Sequence, residues 1–250
     1  MRQIILHNHL FKNAGTSVDH ILHQNFDDRW LSCEFPMTEC GNTDRVAQWI
    51  TDHPQAAAFS SHTMIGPLPK IANTAIIPIV LLRDPIDRIA SAYRFERVQQ
   101  ADTHGARLAK AHGFAGYVHA RLSVKGDRQC RNFQTSRLAS MAPDVQGSEL
   151  ERAGVAIQQI IDQGVLGFVP EFDRAMRRLN ALVIPHFPRF RWHSVTANAA
   201  GRKTSETVSP EMRRILQEAN QDDLALIRFA KRALSQTPSG MATDHVAGMV

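Results

Sequence analysis

The 250 residues include 29 lysines and arginines against 24 aspartates and glutamates, a formal net charge of +5. With 43% hydrophobic residues the chain can form one well-packed core, so we expect a single domain over residues 1 to 235 and a flexible tail over 236 to 250. The basic excess is small and dispersed, which suits an anionic ligand and predicts no nucleic-acid partner.

Targeting and cysteine patterns favour a soluble cytoplasmic protein. No apolar run approaches the roughly 20 residues that cross a bilayer, and no cleavage site follows the N-terminal apolar segment. Cys33, Cys40 and Cys130 form no CxxC pair and are odd in number, which is typical of a reducing compartment. We therefore expect no transmembrane segment, and any membrane attachment to be peripheral.

The first hundred residues alternate strands and helices, judged from the spacing of apolar side chains. In chain order the predicted elements are a strand at 3 to 10, a helix at 17 to 26, a strand at 30 to 35, a helix at 44 to 53, and strands at 56 to 62 and 76 to 82. The last strand is apolar on both faces and β-branched, which is typical of a buried parallel strand. Asp84 can cap the helix that follows, and Pro85 suits its first position.

Beyond residue 100 the pattern is mostly helical. The predicted elements are helices at 106 to 123, 128 to 140, 148 to 163, 170 to 182 and 209 to 235, with a short strand at 165 to 169. This order predicts an α/β, three-layer fold. Its central sheet is expected to be mostly parallel, with helices on both faces and a helix-rich C-terminal half.

The segment from Phe11 to Ser17, between the first strand and its helix, has the composition of an anion-binding loop. Gly15 can let the backbone approach an oxyanion, and the helix start presents N–H groups with the positive end of the helix dipole. Lys12 adds a full charge. This is not a Walker A sequence, because the lysine precedes the glycine. Taken alone, the segment fits equally well an ordinary turn whose hydroxyl residues cap the helix.

A second segment, LRDPIDRIASAY at residues 82 to 93, has the features of a phosphate site. Arg83 follows a buried strand at its carboxyl end, where open α/β sheets bind ligands, and Ser91 lies two turns into the next helix. A guanidinium and a hydroxyl there can hold one phosphate. The alternative is that Arg83 pairs with Asp84 or Asp87 and that Ser91 only packs.

Together the two segments resemble the sulfotransferases that use 3′-phosphoadenosine 5′-phosphosulfate (PAPS), in particular the carbohydrate sulfotransferases that include the heparan sulfate 2-O-sulfotransferases. CRNFQTSRLAS at 130 to 140 resembles the N-x-Q-T-R-L stretch of that family, and GFVPEFDRAMRRLNAL at 167 to 182 resembles its late strand and helix. The 209 to 235 helix resembles its closing helix, so the resemblance covers most of the chain and implies a P-loop-like fold. Phe11 stands where the family has proline, and Asn13 where it has a small or hydroxyl residue.

The resemblance implies sulfuryl transfer from PAPS to a hydroxyl group, expected to be that of a carbohydrate, without a metal. It implies that Lys12 stabilises the leaving oxygen and that Arg83 and Ser91 hold the 3′-phosphate. The residues implied to surround the 5′-phosphosulfate are Lys12, Asn13, Ala14, Gly15, Thr16 and Ser17. A basic loop is implied to cover the cofactor, with Arg202 and Lys203 as ligands. Contacts to an anionic saccharide are expected from Arg137, Arg189 and Arg191.

The acceptor hydroxyl requires a base, and a histidine is suited to that role near neutral pH. His62 ends the predicted strand 56 to 62, and in the resembling family a histidine of this region is the base; His9 is its rival. His7 and His9 project to one strand face, but no third residue has suggestive spacing, so we predict no metal site.

Two other functions compete with a sulfotransferase. A nucleotide kinase or NTPase would need a Walker lysine and a strand-terminal aspartate for Mg²⁺, and neither is evident. A non-catalytic module would keep the nucleotide site without the base. The lack of a membrane anchor favours a bacterial, cytoplasmic enzyme; the acceptor and the oligomeric state stay open.

Overall fold

The computed structural model describes residues 1 to 36, 41 to 193 and 208 to 236. Five strands form one sheet: β1 Arg2–Asn8, β2 Trp30–Ser32, β3 Ala58–Ser61, β4 Thr74–Leu82 and β5 Val165–Phe168. Their order across the sheet is β2-β3-β1-β4-β5, and every pairing is parallel. The predicted α/β class is confirmed, and the sheet expected to be mostly parallel is parallel throughout these residues.

Helices occupy most of the rest of the described chain. They are α1 Gly15–Phe26, α2 Thr43–Asp52, α3 Pro85–Val98, α4 His104–Ala111, α5 Phe114–Ser123, α6 Phe133–Ala139, α7 Glu149–Gln163, α8 Phe172–Val183, α9 Pro210–Ala219 and α10 Gln221–Gln236. Short 3₁₀ turns lie at Asp27–Arg29 and Val169–Glu171. Within the described ranges, no helix combines the length and the apolar character that a membrane crossing needs.

Three predicted helices were too long. The helix at 106 to 123 is two helices, because the backbone is extended at His112 and Gly113. The helix at 209 to 235 is interrupted at Asn220, whose side-chain Nδ2 donates to the carbonyls of Cys130 and Leu216 at 2.9 and 2.8 Å. The helix at 128 to 140 begins only at Phe133, after the left-handed Asn132. A non-helical backbone conformation interrupts the first and third of these predicted helices, and a side-chain contact accompanies the break in the second.

Helices cover both faces of the sheet. Ile79 and Leu81 of β4 pack in a cluster with α1 and α8, whereas the alternate residues Val80 and Leu82 pack with α7 and α10. On the same side as α7, α2 packs against Ile4 of β1 and its neighbours. Because both faces are covered, the central strands are apolar at nearly every position, as the run at 76 to 82 predicted.

A separate cluster joins α3, α4, α5 and α9. At its centre Arg121 forms ion pairs with Glu96 at 2.9 Å and with Asp127 at 2.8 Å, and the Tyr117 hydroxyl donates to Glu96 at 2.6 Å. Burial raises the pKa of the Cys130 thiol to about 12, so this cysteine is a packing residue and not a nucleophile.

The sheet order places the two predicted phosphate segments side by side. β1 and β4 are neighbours, paired from Arg2 with Thr74 to His7 with Ile79. The chain leaves β1 toward β2 and β3 on one side and leaves β4 toward β5 on the other. Such a reversal opens a crevice at the carboxyl edge, where α/β sheets bind ligands. The loops that begin at His9 and at Arg83 border this crevice.

Candidate functional site

The loop between β1 and α1 has an unusual backbone. Lys12 and Ala14 are both left-handed, with φ of 65° and 60°, and Asn13 lies between them outside that region. A non-glycine residue in this conformation costs on the order of 1 kcal/mol. Alternation of this kind turns successive N–H groups toward one point and forms an anion-binding concavity. The backbone strain therefore supports the predicted anion-binding role of this loop.

The start of α1 is not capped. Its N-cap residue is Ala14, which makes no side-chain cap, although serine, threonine, asparagine and aspartate are preferred there. The interpretation in which Thr16 or Ser17 caps the helix is therefore wrong. The N–H groups of Gly15 and Thr16 have no acceptor within the described part of the chain. Free donors at the positive end of a helix dipole are the elements of an anion site.

Asn13 and Gln134 join the two loops beneath this surface. The Asn13 side chain is 1% exposed and points inward, and its Nδ2 donates to Leu81 O at 2.7 Å and to Gln134 Oε1 at 2.8 Å. Gln134 Oε1 also accepts from the Arg83 N–H at 2.9 Å, and Gln134 Nε2 donates to Arg83 O at 2.8 Å. The Asn13 side chain thus supports the loop from inside, so only its backbone faces the predicted ligand.

Lys12 and Arg83 lie together at the β1 and β4 side of the crevice. Arg83 Nη1 donates to Lys12 O at 3.2 Å, and Lys12 Nζ lies 4.4 Å from the ring centroid of Phe95 on α3. Burial lowers the pKa of Lys12, and the charges of Arg83 and Arg94 lower it further. Burial also lowers the pKa of Arg83. We call Lys12, Arg83 and Arg94 the cationic cluster.

No member of the cationic cluster forms an ion pair within 4.0 Å among the described residues. The alternative in which Arg83 pairs with Asp84 or Asp87 is not observed at that distance. Instead, Asp84 Oδ1 caps α3 by accepting from the N–H groups of Ile86 and Asp87. Both carboxylates act on Arg83 only at longer range. The guanidinium is therefore available to a ligand.

Histidines and carboxylates occupy the other side of the crevice, at the ends of β1, β2 and β3. His62 Nδ1 lies 2.8 Å from Glu34 Oε1, which also accepts from the His62 N–H at 3.2 Å. His9 Nδ1 lies 2.9 Å from Asp19 Oδ2. The two imidazole rings lie against each other, with centroids 3.6 Å apart and ring planes tilted by 32°. Each ring therefore has a carboxylate on Nδ1. Nε2 of His62 forms no hydrogen bond among the described residues, whereas Nε2 of His9 packs against Gly15.

His9 and His62 differ in their exposure to solvent. His9 is 4% exposed, whereas the His62 side chain is 42% exposed. Burial lowers the pKa of His9 against the opposing effect of its bond to Asp19. Burial also works against ionisation of Asp19, but hydrogen bonds from His7 and His9 outweigh it and hold the Asp19 pKa far below its usual range. Asp19 is thus an anion at any working pH, and His9 is a mostly buried, neutral ring.

His7, His9 and Asp19 are the residues of this region that could hold a metal ion, with ligand atoms all within 4.8 Å of one another. The expectation that no third group accompanies the two histidines is wrong, because α1 brings Asp19 to them. His7 Nδ1 and His9 Nδ1 lie 2.7 and 2.9 Å from the two Asp19 oxygens. Ligands around a cation with bonds of about 2.1 Å stand about 3.0 to 3.4 Å apart. The observed distances are shorter, so they fit hydrogen bonds between Asp19 and the two histidines better than binding of a common metal ion.

The His9 ring leaves no room for a side chain at position 15, so this residue has to be glycine. A Cβ on Gly15 would lie 1.9 Å from His9 Cδ2 and 2.1 Å from its Nε2. We expected Gly15 to let the backbone approach an oxyanion. In the structure, the imidazole ring of His9 packs where a side chain of residue 15 would be. The glycine therefore joins the histidine side of the crevice to the start of α1.

The predicted saccharide contacts do not converge. Arg137 of α6 borders the site, where its Nη2 donates to His62 O at 2.7 Å and to Met64 O at 2.9 Å, so it holds the loop after β3. Arg191 instead bonds Asn25 in the last turn of α1, about 15 Å along the helix from Gly15. Arg189 lines a cavity beside the same turn. Arg202 and Lys203 lie outside the described residues.

Four residues of the site were not predicted: Asp19, Glu34, Arg94 and Gln134. Arg94 had a usable signal, because it is three residues beyond Ser91 and shares its helix face. Gln134 lies in the QTSR stretch that the resemblance singled out. Asp19 and Glu34 had no local signal, since each meets its histidine only through the packing of separate elements.

Comparison with known proteins shows one clear relationship. No family model matches the chain. A protein of Archaeoglobus fulgidus, described only as uncharacterized, is 37% identical over 221 residues, which cover 84% of this chain and 82% of that protein. At this identity and coverage the two share a common fold and ancestry. The chain therefore belongs to the same family as this archaeal protein.

Proposed function

We propose that this chain is a sulfotransferase that transfers the sulfuryl group of PAPS to a hydroxyl group of a carbohydrate. One observation carries the proposal. The crevice at the carboxyl edge has one side with two cations, Lys12 and Arg83, that form no ion pair among the described residues, and another side with carboxylate-bound imidazoles, His9 and His62; the two sides meet at Gly15. Group transfer from an anionic donor to a hydroxyl needs both sides in contact.

The cationic side fits a donor with two separate phosphate groups. The uncapped start of α1 and the left-handed Lys12 and Ala14 offer N–H donors for a 5′-phosphosulfate. Thr16 and the half-buried Ser17 add hydroxyls there. Arg83 and the half-buried Ser91 would hold the 3′-phosphate. PAPS supplies an activated sulfuryl group whose leaving group is a phosphate.

Each residue then has one chemical task. The acceptor oxygen forms a bond to sulfur as the bond from sulfur to the phosphate oxygen breaks, and the negative charge that develops on that oxygen is stabilised by Lys12. The acceptor proton passes to Nε2 of His62, while Glu34 on Nδ1 fixes the ring and stabilises its protonated form. The products are a sulfate ester and adenosine 3′,5′-bisphosphate.

His62 suits the role of base better than His9 because an acceptor can reach it. Only 4% of His9 is exposed, and its ring is covered by Gly15 on one side and stacked on His62. We therefore assign His9 a supporting role: with Asp19 it forms the surface on which the His62 ring rests. The dependence of turnover on each histidine separates these roles.

The donor assignment is tested by calorimetric titration of the full chain with adenosine 3′,5′-bisphosphate and with ATP, each with and without Mg²⁺. We expect a dissociation constant of about 1 to 10 µM for the bisphosphate, typical of a small anionic ligand in a preformed site, and much weaker binding of ATP. Preference for ATP, strengthened by Mg²⁺, would replace the proposal with a nucleotide kinase or NTPase.

The base assignment is tested by transfer of labelled sulfuryl from PAPS to a panel of neutral and uronic-acid oligosaccharides. We expect His62→Ala to lower turnover by about 100-fold or more with bisphosphate affinity nearly unchanged. Glu34→Gln should lower turnover less, and His20→Ala, an exposed histidine of α1, serves as the matched control. Full activity of His62→Ala would move the base to His9. Bisphosphate binding without any transfer by the wild type would indicate a non-catalytic module.

A further inference from the structure

One face of α3 borders the loop after β1. Ser91, Arg94 and Phe95 are spaced three and four residues apart, so they lie on adjacent positions of that face. The Phe95 ring is 4.4 Å from Lys12 Nζ and packs edge-on against Phe11 at 5.6 Å between centroids. The face that carries Arg94 is therefore in direct contact with the predicted 5′-phosphosulfate loop.

Arg94 is close enough to act on both other cations of the site. Its charge lowers the pKa of Lys12 and of Arg83. The three charges come from three elements: the loop after β1, the end of β4 and the third turn of α3. Lys12 and Arg83 are already in contact through the Lys12 carbonyl at 3.2 Å. Like charges gathered in this way repel, and a bound anion removes that repulsion.

Within the described residues, no carboxylate neutralises Arg94. The aromatic face of Phe95 compensates only the Lys12 ammonium. A ligand with a charge of −2 matches a site with two guanidinium groups that form no ion pair among the described residues, because a guanidinium can donate two parallel hydrogen bonds to phosphate oxygens. A phosphate monoester is such a ligand near neutral pH.

We propose that Arg94 binds the 3′-phosphate of the nucleotide together with Arg83 and Ser91, and so selects donors that carry that phosphate; this inference rests on the proposed function. The helix face of Arg94 favours the 3′-phosphate over the 5′ group. It shares a helix face with Ser91, whereas the 5′ group has its own donors at the start of α1. Arg94 thus adds a specificity contact that discriminates between adenosine bisphosphates and monophosphates.

The test compares two ligands on the full chain by calorimetry: adenosine 3′,5′-bisphosphate and adenosine 5′-monophosphate, which lacks the 3′-phosphate. Arg94→Ala is expected to raise the dissociation constant of the bisphosphate about tenfold, the scale of one charge-assisted contact, and to leave that of the monophosphate within about twofold. Arg94→Lys should recover part of the loss. Arg29→Ala is the matched control, because Arg29 is an exposed arginine that lies beyond the end of α1.

Each outcome has a distinct meaning. If the wild type binds the bisphosphate and Arg94→Ala binds it equally well, the inference is overturned and the proposed function stands. If Arg94→Ala weakens both ligands equally, Arg94 acts on the 5′ group and the assignment to the 3′-phosphate is wrong. If the wild type does not bind the bisphosphate, the proposed function fails and this inference fails with it. Equal melting temperatures of variant and wild type confirm that the exposed Arg94 is not needed for folding.

Discussion

At the scale of single residues, the site shows how environment assigns different roles to the same side chain. His9 and His62 stack on each other and each has a carboxylate on Nδ1. Because His9 is buried and His62 is nearly half exposed, the His62 ring is the more accessible of the two to a ligand. Twelve histidines in the chain offer no such distinction in the sequence. In the proposed reaction, exposure and not residue type separates the base from the histidine that supports it.

The buried His9 predicts that acid destabilises the fold. Burial lowers the folded pKa of His9, so the unfolded chain takes up a proton first as the pH falls through about 6.5, and the free energy of unfolding decreases. Asp19, whose folded pKa is also lowered, adds a further loss below about pH 4, where the unfolded carboxyl becomes protonated.

Urea unfolding at about pH 7.5 and about pH 5.5 measures this loss, because the interval spans the unfolded pKa of histidine. His9→Asn keeps an N–H donor for Asp19 and does not titrate. Its free energy of unfolding should therefore fall less between the two pH values than that of the wild type. His20→Asn, at an exposed position of α1, should keep the wild-type difference. Equal stability of the wild type at the two pH values contradicts this account of His9.

At the scale of elements, the two loops of the site are joined by a short helix from elsewhere in the chain. α6 is only seven residues long, and Asp223 of α10 caps it by accepting from the Thr135 N–H at 2.7 Å and from the Thr135 hydroxyl at 2.8 Å. This places Gln134 of α6 between Asn13 and Arg83. The helix was predicted, but its task was not, because the cap comes from 88 residues away.

Gln134→Ala is expected to loosen both loops. It removes the partner of the Arg83 N–H and carbonyl and one partner of Asn13, in a position that is 0% exposed. Buried groups left without partners lower the free energy of unfolding by about 2 to 4 kcal/mol in sum. Urea unfolding measures the loss, and the dissociation constant of adenosine 3′,5′-bisphosphate should rise as well. Gln158→Ala, an exposed glutamine of α7, is the matched control; a similar loss there would remove Gln134 from this role.

At the scale of the whole molecule, the sheet order assembles the site. β1 lies between β3 and β4, so the loops that carry His62, Lys12 and Arg83 are consecutive along one edge. The cations and imidazoles meet at β1 although Lys12 and Arg83 are 71 residues apart in the chain. The charges of the cationic cluster are close together, and repel one another, only in the folded state. A ligand that neutralises it therefore stabilises the entire fold.

Ligand binding should consequently raise the melting temperature. At about 100 times the dissociation constant, a ligand of the folded state adds about 2.7 kcal/mol of stability, which corresponds to about 5 °C or more for a chain of this size. Differential scanning fluorimetry with adenosine 3′,5′-bisphosphate measures the shift. Arg83→Ala should reduce it at the same ligand concentration, whereas ATP without Mg²⁺ should produce little. A larger shift with ATP than with the bisphosphate contradicts the proposed ligand.

The sequence by itself determined the α/β class, the strands and most helices, because apolar periodicity depends on which faces a chain can bury. It also identified Lys12 and Arg83, which follow strands at positions where ligand loops occur. It overestimated three helices, because the contacts that end them, such as Asn220 with Cys130, are not periodic. Only the tertiary structure brought Asp19 and Glu34 to the histidines and Arg94 to the cationic cluster, and placed Arg191 at the far end of α1. The physical reason is that these contacts depend on strand order and helix packing, which no local run of residues encodes.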